Sequence, residues 1–478
     1  MPRLEEGLDA EMYSLTVEEL REITGGIIRG PVDPAAHIQG CVIDSRRTQS
    51  GDAFFALPGA RQHGSAYCED AFHHGAVVTV VDRTAPFACS GPHLLVGNSA
   101  VALAAVAAHN RRQSDALVIG VTGSVGKTTT RNLIAAVLGS GFTGIQSPAN
   151  FNNHLGVPLS LLEIQPDDEF AVIELAASAP GELQRLCALT RAEFGVVTRV
   201  APAHLRGFGS LQNVQKEKRL LVESLPASGA VFLNADDPLV VQMAASAKCR
   251  VISFGSNPAA DLRAVNITAS DHGISFEADQ HRYELPMPGT HNVTNALAAV
   301  AIGREVGLEP QQIAAALSRV GSLNGRCRLL TVGDWNVIDD TYNSSPAGMT
   351  AAVRTLEQYQ SCHHRIAVVG DMLDLGDQAP DLHYSVGAAL ANARVDHILS
   401  VGEFADCVAE GFRDSGGSLN HVSVFSDFDL LTTMLECVLS PGDAVLVKGS
   451  RGMRMERVID RLRQLAATAE QSPARRAA

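Results

Sequence analysis

The sequence predicts an α/β protein of three domains: a small α/β N-terminal domain, a central P-loop parallel-sheet domain and a C-terminal Rossmann-like domain. Three observations predict it. The chain has 478 residues, enough for three domains at roughly 150 residues each. Continuous apolar runs alternate with helical patterns, as in parallel strands covered on both faces. That alternation occurs twice, once on each side of Gly325.

Residues 1–112 form the first block. It holds a strand-like run at Val77 to Val81 and closes on an Ala-rich helix for which Ser99 is the expected N-cap. Residues 113–325 form the second. Its apolar runs are LVIGVTG (Leu117 to Gly123), FAVIELA (Phe170 to Ala176), FGVVTRV (Phe194 to Val200) and AVFLNADD (Ala230 to Asp237). It ends after a helix holding HNVTNALAAVAI. Residues 326–466 form the third, with IAVVGD, HILSVGE and AVLVKGS. Residues 467–478 read as a flexible tail. Ligands are expected in the clefts between the domains.

Composition excludes several classes. Apolar residues make up 46% and charged residues 19%, so each domain can bury a core. The net charge is −14 and no basic stripe stands out, which argues against a nucleic-acid partner. Nine cysteines are scattered without CxxC spacing, which argues against a disulfide framework or zinc site and for reduced cytoplasmic thiols. The N-terminus MPRLEEGLDAEMYSL lacks the apolar core of a signal peptide. No run reaches membrane-spanning length, so no stable membrane insertion is expected. No Ser-His-Asp set or activated cysteine is visible, so covalent enzyme catalysis is not indicated.

Chemistry concentrates in the second block. Residues 117–130 read LVIGVTGSVGKTTT. An apolar strand runs into Gly120, Gly123 and Gly126, then into Lys127 and a helix. Glycines let backbone N–H groups approach phosphate, and the helix N-terminus favours the anion. ATP is therefore the expected ligand, cradled by Gly123, Ser124, Val125, Gly126, Lys127, Thr128 and Thr129. Lys127 would reach the terminal phosphates and Thr128 would ligate Mg²⁺. The glycine spacing is one residue longer than the strict Walker pattern. A glycine turn without ligand is the plainer alternative, but a strand, three glycines, GKT and a helix rarely coincide.

Three further residues follow. Glu174 ends an apolar run, where an α/β sheet faces its ligand crevice; beside the loop, a Mg²⁺ role outweighs a solvated carboxylate. His204 follows FGVVTRV in the same way, and here a structural histidine and a ligand stand even. Ser210 can cap the helix LQNVQKEKRLLVESL. On that helix Leu211, Val214, Leu221, Val222 and Leu225 form one stripe with Lys218 in its middle, while Lys216 points away. A lysine in an apolar stripe is costly unless paired or functional. Snorkelling to the surface is the competing reading.

These residues resemble the Mur ligases, bacterial cytoplasmic enzymes, and within them the branch that adds D-alanyl-D-alanine. The resemblance runs from VIDSR near Asp44 to KGSRGMRMERVI ending at Ile459. It implies an ATP-dependent, ADP-forming ligation through an acyl phosphate. The substrates would be UDP-N-acetylmuramoyl-tripeptide and D-alanyl-D-alanine, and the protein a monomer. In IDSRRTQSGDAFFALPG, Ser45 and Arg46 would lie near the UDP end of the nucleotide sugar. NNHLGVPLSLL matches a further family stretch. HNVTNALAA would place Asn292 and Asn295 near adenine. GRCR would bring Arg326 to the phosphates from the domain boundary. In IDDTYNSSP, Asp340 would touch ribose while Tyr342 and Asn343 face the amine acceptor. Two Mg²⁺ are implied, the first on Thr128 and Glu174, the second on Glu174, His204 and a carbamylated Lys218. The DNPR-type signature of the diaminopimelate-adding branch is absent.

The sequence also departs from the family. LAASAP follows Glu174 where Gly and a polar pair are usual. Arg199 replaces an Asn, Arg206 a Glu, and Leu220 an acidic residue. Ser345 replaces the second Asn of YNAN, beside the acceptor. These motivate a second reading, a Mur-like paralogue with another amine or carboxylate. A third, a nucleotide-binding scaffold without ligation, is opposed by Lys127, Glu174, His204 and Lys218 together.

Overall fold

The computed structural model describes residues 12–86 and 90–471, and each block contributes a sheet. The N-terminal sheet orders its strands Ile27–Arg29, His93–Val96, Val78–Asp82, Ala53–Ala56 and Cys41–Val42. Only its first pair is antiparallel.

The central sheet has nine strands. In spatial order they are Gly144–Gln146, Phe170–Glu174, Leu117–Thr122, Phe194–Val197, Ala230–Asn234, Arg250–Gly255, Leu262–Ser270, Gly273–Ala278 and His281–Leu285. Pairing is parallel as far as Leu262–Ser270; the last two strands add an antiparallel meander. Leu117–Thr122 comes first in the chain but lies inside the sheet. The chain therefore winds outward on both sides of it, and such a switch point opens a ligand crevice at the strands' carboxyl ends.

The C-terminal sheet orders its six strands Arg328–Val332, Trp335–Asp340, Ala444–Lys448, Arg365–Gly370, His397–Val401 and Val422–Phe425. All but the first are parallel.

The cores show how the bodies are joined. One cluster runs from Phe55 and Val80 through Leu103 and Val106 onto the central-sheet residues Val118 and Ile173. A second covers the other central face and packs the helix Lys127–Leu138 on His291–Glu305. Each buried Leu, Ile or Val adds roughly 1.5–3 kcal/mol. The C-terminal sheet has its own two clusters, with no buried member before Cys327. It meets the rest through Leu382, which packs against the first cluster as well as its own, and through polar contacts. Asp271, at a turn of the meander, accepts the Gln360 and Ser361 N–H groups at 2.9 Å each. The Arg206 N–H donates to the Asp374 carbonyl at 3.1 Å.

Several expectations shift. Asn98, not Ser99, caps the helix Ser99–Gln113, accepting from the Val101 N–H. The Ser99 hydroxyl instead donates to the Ala56 carbonyl. Strands stop before their apolar runs do: Ala176 leaves the ladder to donate to the Asn152 carbonyl at 2.8 Å. The expected tail begins inside a helix, Glu456–Gln471, whose Val458, Ile459 and Leu462 are buried against the C-terminal sheet. Residues 472–478, and the N-terminal residues 1–11 read as no signal peptide, lie outside the described residues. Among the described residues no helix is long and apolar enough to cross a membrane.

Candidate active site

The strand Leu117–Thr122 ends in the phosphate loop. Gly123 and Gly126 have φ of 149° and 85°, in the region glycine favours. A Cβ at Gly123 would collide with Thr198 Oγ1, and one at Gly126 would stand 2.7 Å from Asn295 Oδ1. The loop is braced from behind: Thr198 Oγ1 donates to the Val125 carbonyl at 2.6 Å, and the Ser124 N–H donates to the Arg199 carbonyl at 2.7 Å. Gly126 caps the helix Lys127–Leu138 without a side chain, which leaves that helix N-terminus open to an anion. Lys127 Nζ folds onto the Gly123 carbonyl at 2.8 Å. Burial lowers its pKa, and Glu174 opposes that.

Glu174 ends the strand Phe170–Glu174 and is 1% exposed. Its carboxylate accepts from Asn152 Nδ2 at 2.8 Å and pairs with Arg131 Nη1 at 3.3 Å. Arg131 lies one helical turn from Lys127 on the same buried face. Sequence reasoning missed it, although the stripe test that found Lys218 would have found it.

His204 sits in a left-handed turn, φ 51°, at the start of Leu205–Phe208. Its Nδ1 is 3.8 Å from Asp374 Oδ2 of the C-terminal body. Burial first, then Lys127 and Lys218, lowers its pKa, which favours the neutral, ligating imidazole. Lys218 lies behind it on Leu211–Ser224, capped by Ser210 as expected. It is 3% exposed, with Nζ 5.8 Å from the Phe208 ring centroid. Burial, then the charge of Lys127, pulls it down to about 7. Snorkelling therefore fails for Lys218, whereas Lys216 is exposed. The neighbouring Glu217, also missed, is buried and accepts the Gly181 and Leu183 N–H groups at 2.9 and 2.7 Å. It thereby caps the N-terminus of the earlier helix Glu182–Thr190.

A cavity of 1670 Å³ joins these parts to the C-terminal body. Ser124 to Thr129, Glu174 and His204 line one side, with Asn292 and Asn295 beside them. Arg326, Asp340, Tyr342, Asn343 and Ser345 line the other. Asn295 accepts from Thr130 Oγ1 at 3.1 Å and donates to Asn292 Oδ1 at 3.0 Å, so both asparagines also brace the phosphate-loop helix. Arg326 stacks on Tyr342, 4.0 Å from the ring centroid. Asp340 Oδ2 pairs with Lys448 Nζ at 2.7 Å, and Lys448 also donates to the Asn343 carbonyl at 2.8 Å. Lys448 is a further missed residue; like Glu174, it is a charge ending an apolar strand. Ser345 caps the helix Pro346–Gln358, accepting from the Gly348 N–H at 3.3 Å.

Lys218, Ser45 and Arg46 do not line this cavity. Ser45 is buried in the turn Ser45–Arg47, and Arg46 is exposed and paired with Asp44 at 2.6 Å. Arg47 instead lines a separate cavity of 230 Å³ with Glu163, whose carboxyl is pushed up to about 7 by burial. Among the described residues no three His, Cys, Asp or Glu side chains gather as a metal centre. A divalent ion here would draw on the Thr128 hydroxyl, substrate phosphate and water beside one carboxylate, the usual pattern for Mg²⁺.

Known proteins resemble this chain along most of its length. Family models described as Mur ligase family catalytic domain, Mur ligase middle domain and Mur ligase glutamate ligase domain match residues 37–123, 121–303 and 325–451. The UDP-N-acetylmuramoyl-tripeptide--D-alanyl-D-alanine ligase of Bacillus subtilis is 32% identical, covering 94% of this chain and 98% of that one. That of Escherichia coli is 34% identical, covering 95% and 99%. The chain belongs to the Mur ligase family. Among solved structures, this Mur ligase resembles a MurF from Acinetobacter baumannii with a TM-score of 0.86 at 28% identity, covering 95% and 100%. It also resembles the Thermotoga maritima MurF in complex with ADP, with a TM-score of 0.79 at 25% identity, covering 90% and 98%.

Proposed function

We propose that this Mur ligase adds D-alanyl-D-alanine to UDP-N-acetylmuramoyl-tripeptide, consuming ATP and forming ADP and phosphate, in peptidoglycan precursor synthesis. One observation carries the reading: relatives named for that activity align with 94–95% of the chain. The working division assigns residues 1–112 to the nucleotide sugar, 113–325 to ATP and 326–466 to the amine. The setting is the bacterial cytoplasm, and the protein acts as a monomer.

The phosphate loop's N–H groups and Lys127 hold the γ-phosphate against the peptide's terminal carboxylate. Attack by that carboxylate gives an acyl phosphate and ADP. The amine of D-alanyl-D-alanine attacks the acyl carbon, and the tetrahedral intermediate expels phosphate. Lys127 and Arg326 supply positive charge where negative charge develops. Asn292 and Asn295 flank the base, and Asp340 the ribose. Ser45 and Arg46 serve the uridine end of the donor, Tyr342, Asn343 and Ser345 the acceptor.

Thr128 and Glu174 would hold one Mg²⁺, and Glu174, His204 and a carbamylated Lys218 reaching in from behind the cavity wall would hold a second. Bound there, the ions neutralise phosphate charge and polarise the transferring group. An ammonium at Lys218 would repel such an ion. Burial, then the charge of Lys127, lowers the pKa of Lys218 to about 7 and so favours the neutral amine that takes up CO₂. The resulting carbamate is anionic and oxygen-donating, and suits Mg²⁺.

Ser345 and the LAASAP run keep a second reading in view, a paralogue using another amine or carboxylate. The capping bond of Ser345 gives that residue a local reason to be serine. Mass spectrometry of products from an acceptor panel decides. The proposal expects the D-alanyl-D-alanine adduct; normal turnover with another amine and none with the dipeptide refutes it.

A further inference from the structure

The C-terminal wall of the cleft carries a row of side chains that the mechanism above leaves without a task. Two loops leave the adjacent parallel strands Arg365–Gly370 and Ala444–Lys448 at their carboxyl ends, where doubly wound sheets hold ligands. Ser450 laces the loops together. Its N–H donates to the Asp371 carbonyl at 3.0 Å, and its hydroxyl accepts the Leu373 N–H at 2.8 Å.

This lacing sets three cavity-lining residues in order. Asp374 is at one end, 3.8 Å from His204 and so nearest the phosphate loop. Leu373 comes next, 42% exposed within a cleft. A Cβ on Gly452 would stand 2.8 Å from Leu373 Cδ1, so Leu373 lies against the Arg451–Gly452 turn. Arg451 is at the far end, its side chain 68% exposed and, among the described residues, held only by a 3.5 Å contact to Glu456. The order is acid, apolar, base. A zwitterionic dipeptide of small residues has the complementary order: amine, methyl groups, carboxylate. Two other cations of this wall are committed, Lys448 to Asp340 and Asn343, and Arg326 to Tyr342.

We propose that Arg451 binds the free carboxylate of the amine substrate, with Leu373 beneath its methyl groups and its amino end turned toward Asp374 and His204. This rests on the reading of that substrate as D-alanyl-D-alanine. The forked guanidinium matches a carboxylate bidentately. The orientation brings the amine, not the carboxylate, to the reacting centre.

The test compares D-alanyl-D-alanine with its C-terminal amide, D-alanyl-D-alaninamide, as acceptors for the full-length enzyme at saturating ATP and nucleotide sugar. The wild type should use the amide on the order of 100-fold less well in kcat/KM, the scale for removing one partner of such a charge pair. In Arg451→Ala the dipeptide should fall by a similar factor while the amide changes little, so the preference disappears. The KM for ATP should stay unchanged, which shows an intact cleft. Leu373→Ala should weaken both acceptors a few-fold, alike. A full carboxylate preference retained in Arg451→Ala overturns the proposal, as does transfer of the effect to Arg354→Ala, the remaining arginine of that wall. Equal loss with both acceptors in Arg451→Ala also overturns it. If the wild type uses neither acceptor, the substrate reading has failed and this proposal falls with it.

Discussion

The central side of the cleft and the two laced loops of its C-terminal wall handle charge in opposite ways, while Lys448 and Asp340 form a largely buried pair. In the central body Glu174, on the wall, and Lys218, behind it, are 1% and 3% exposed, and Arg131 is 4% exposed beside Glu174. Their positions are set by strand ends, helix faces and side-chain bonds between the two clusters that cover the central sheet. On the C-terminal wall Arg451 and Asp374 have side chains 68% and 58% exposed. Their loops are held mainly through backbone N–H groups and one serine. Buried, preorganised charge acts in a low dielectric, where it is worth most to a transition state and least free to adapt. Exposed charge on laced loops is weaker but can be retuned. The central wall therefore suits the phosphoryl chemistry, and the C-terminal wall suits the choice of amine.

Four variants break or sharpen that contrast, from the largest effect to the smallest. Lys127→Ala should lower kcat on the order of 1,000-fold with any acceptor, read as phosphate release; a change confined to one acceptor would erase the distinction between walls. Lys218→Ala should lose on the order of 100-fold or more in kcat. The wild type should lose activity when CO₂ is removed and recover it with bicarbonate, whereas the variant should not respond. Unchanged turnover in the variant removes the carbamate.

Ser345→Ala should cost about 1 kcal/mol of stability through the lost helix cap, measured by denaturant unfolding, with a few-fold rise in KM for the amine. A KM that does not move at all would remove Ser345 from the acceptor site and leave it the helix cap alone.

Glu163, away from both walls, is the smallest case. Its pKa is raised from 4.5 to about 7 by burial, so between those values the folded state binds the extra proton. Stability should fall as pH rises through that window, with the penalty fully present above it. Glu163→Gln should flatten that slope in pH-dependent thermal melts; an unaltered slope contradicts the assignment.

The same contrast governs what could be read before the structure. Continuous apolar runs announce parallel strands, so the central sheet around Leu117–Thr122 and the strands Arg365–Gly370, His397–Val401 and Ala444–Lys448 were legible. The meander from Leu262 to Leu285 was not: its first strand is mostly exposed, so no apolar run marks it. Lys218 was legible as a charge in an apolar stripe. Arg131 and Glu217 obey the same logic on neighbouring helix faces, but their partners come from distant segments. The C-terminal wall was least legible. Leu373, Asp374 and Arg451 lie in loops without periodicity, and they gain meaning only when Ser450 joins two strand ends that are distant in sequence.

On the proposed function, one cleft couples ATP cleavage to joining a nucleotide-linked peptide with D-alanyl-D-alanine. Phosphate release by the full-length protein, with ATP and Mg²⁺ present, tests it most directly. Sustained release should require UDP-N-acetylmuramoyl-tripeptide and D-alanyl-D-alanine together, with one phosphate per adduct formed. Sustained release with either substrate omitted, or none with both present, would contradict it.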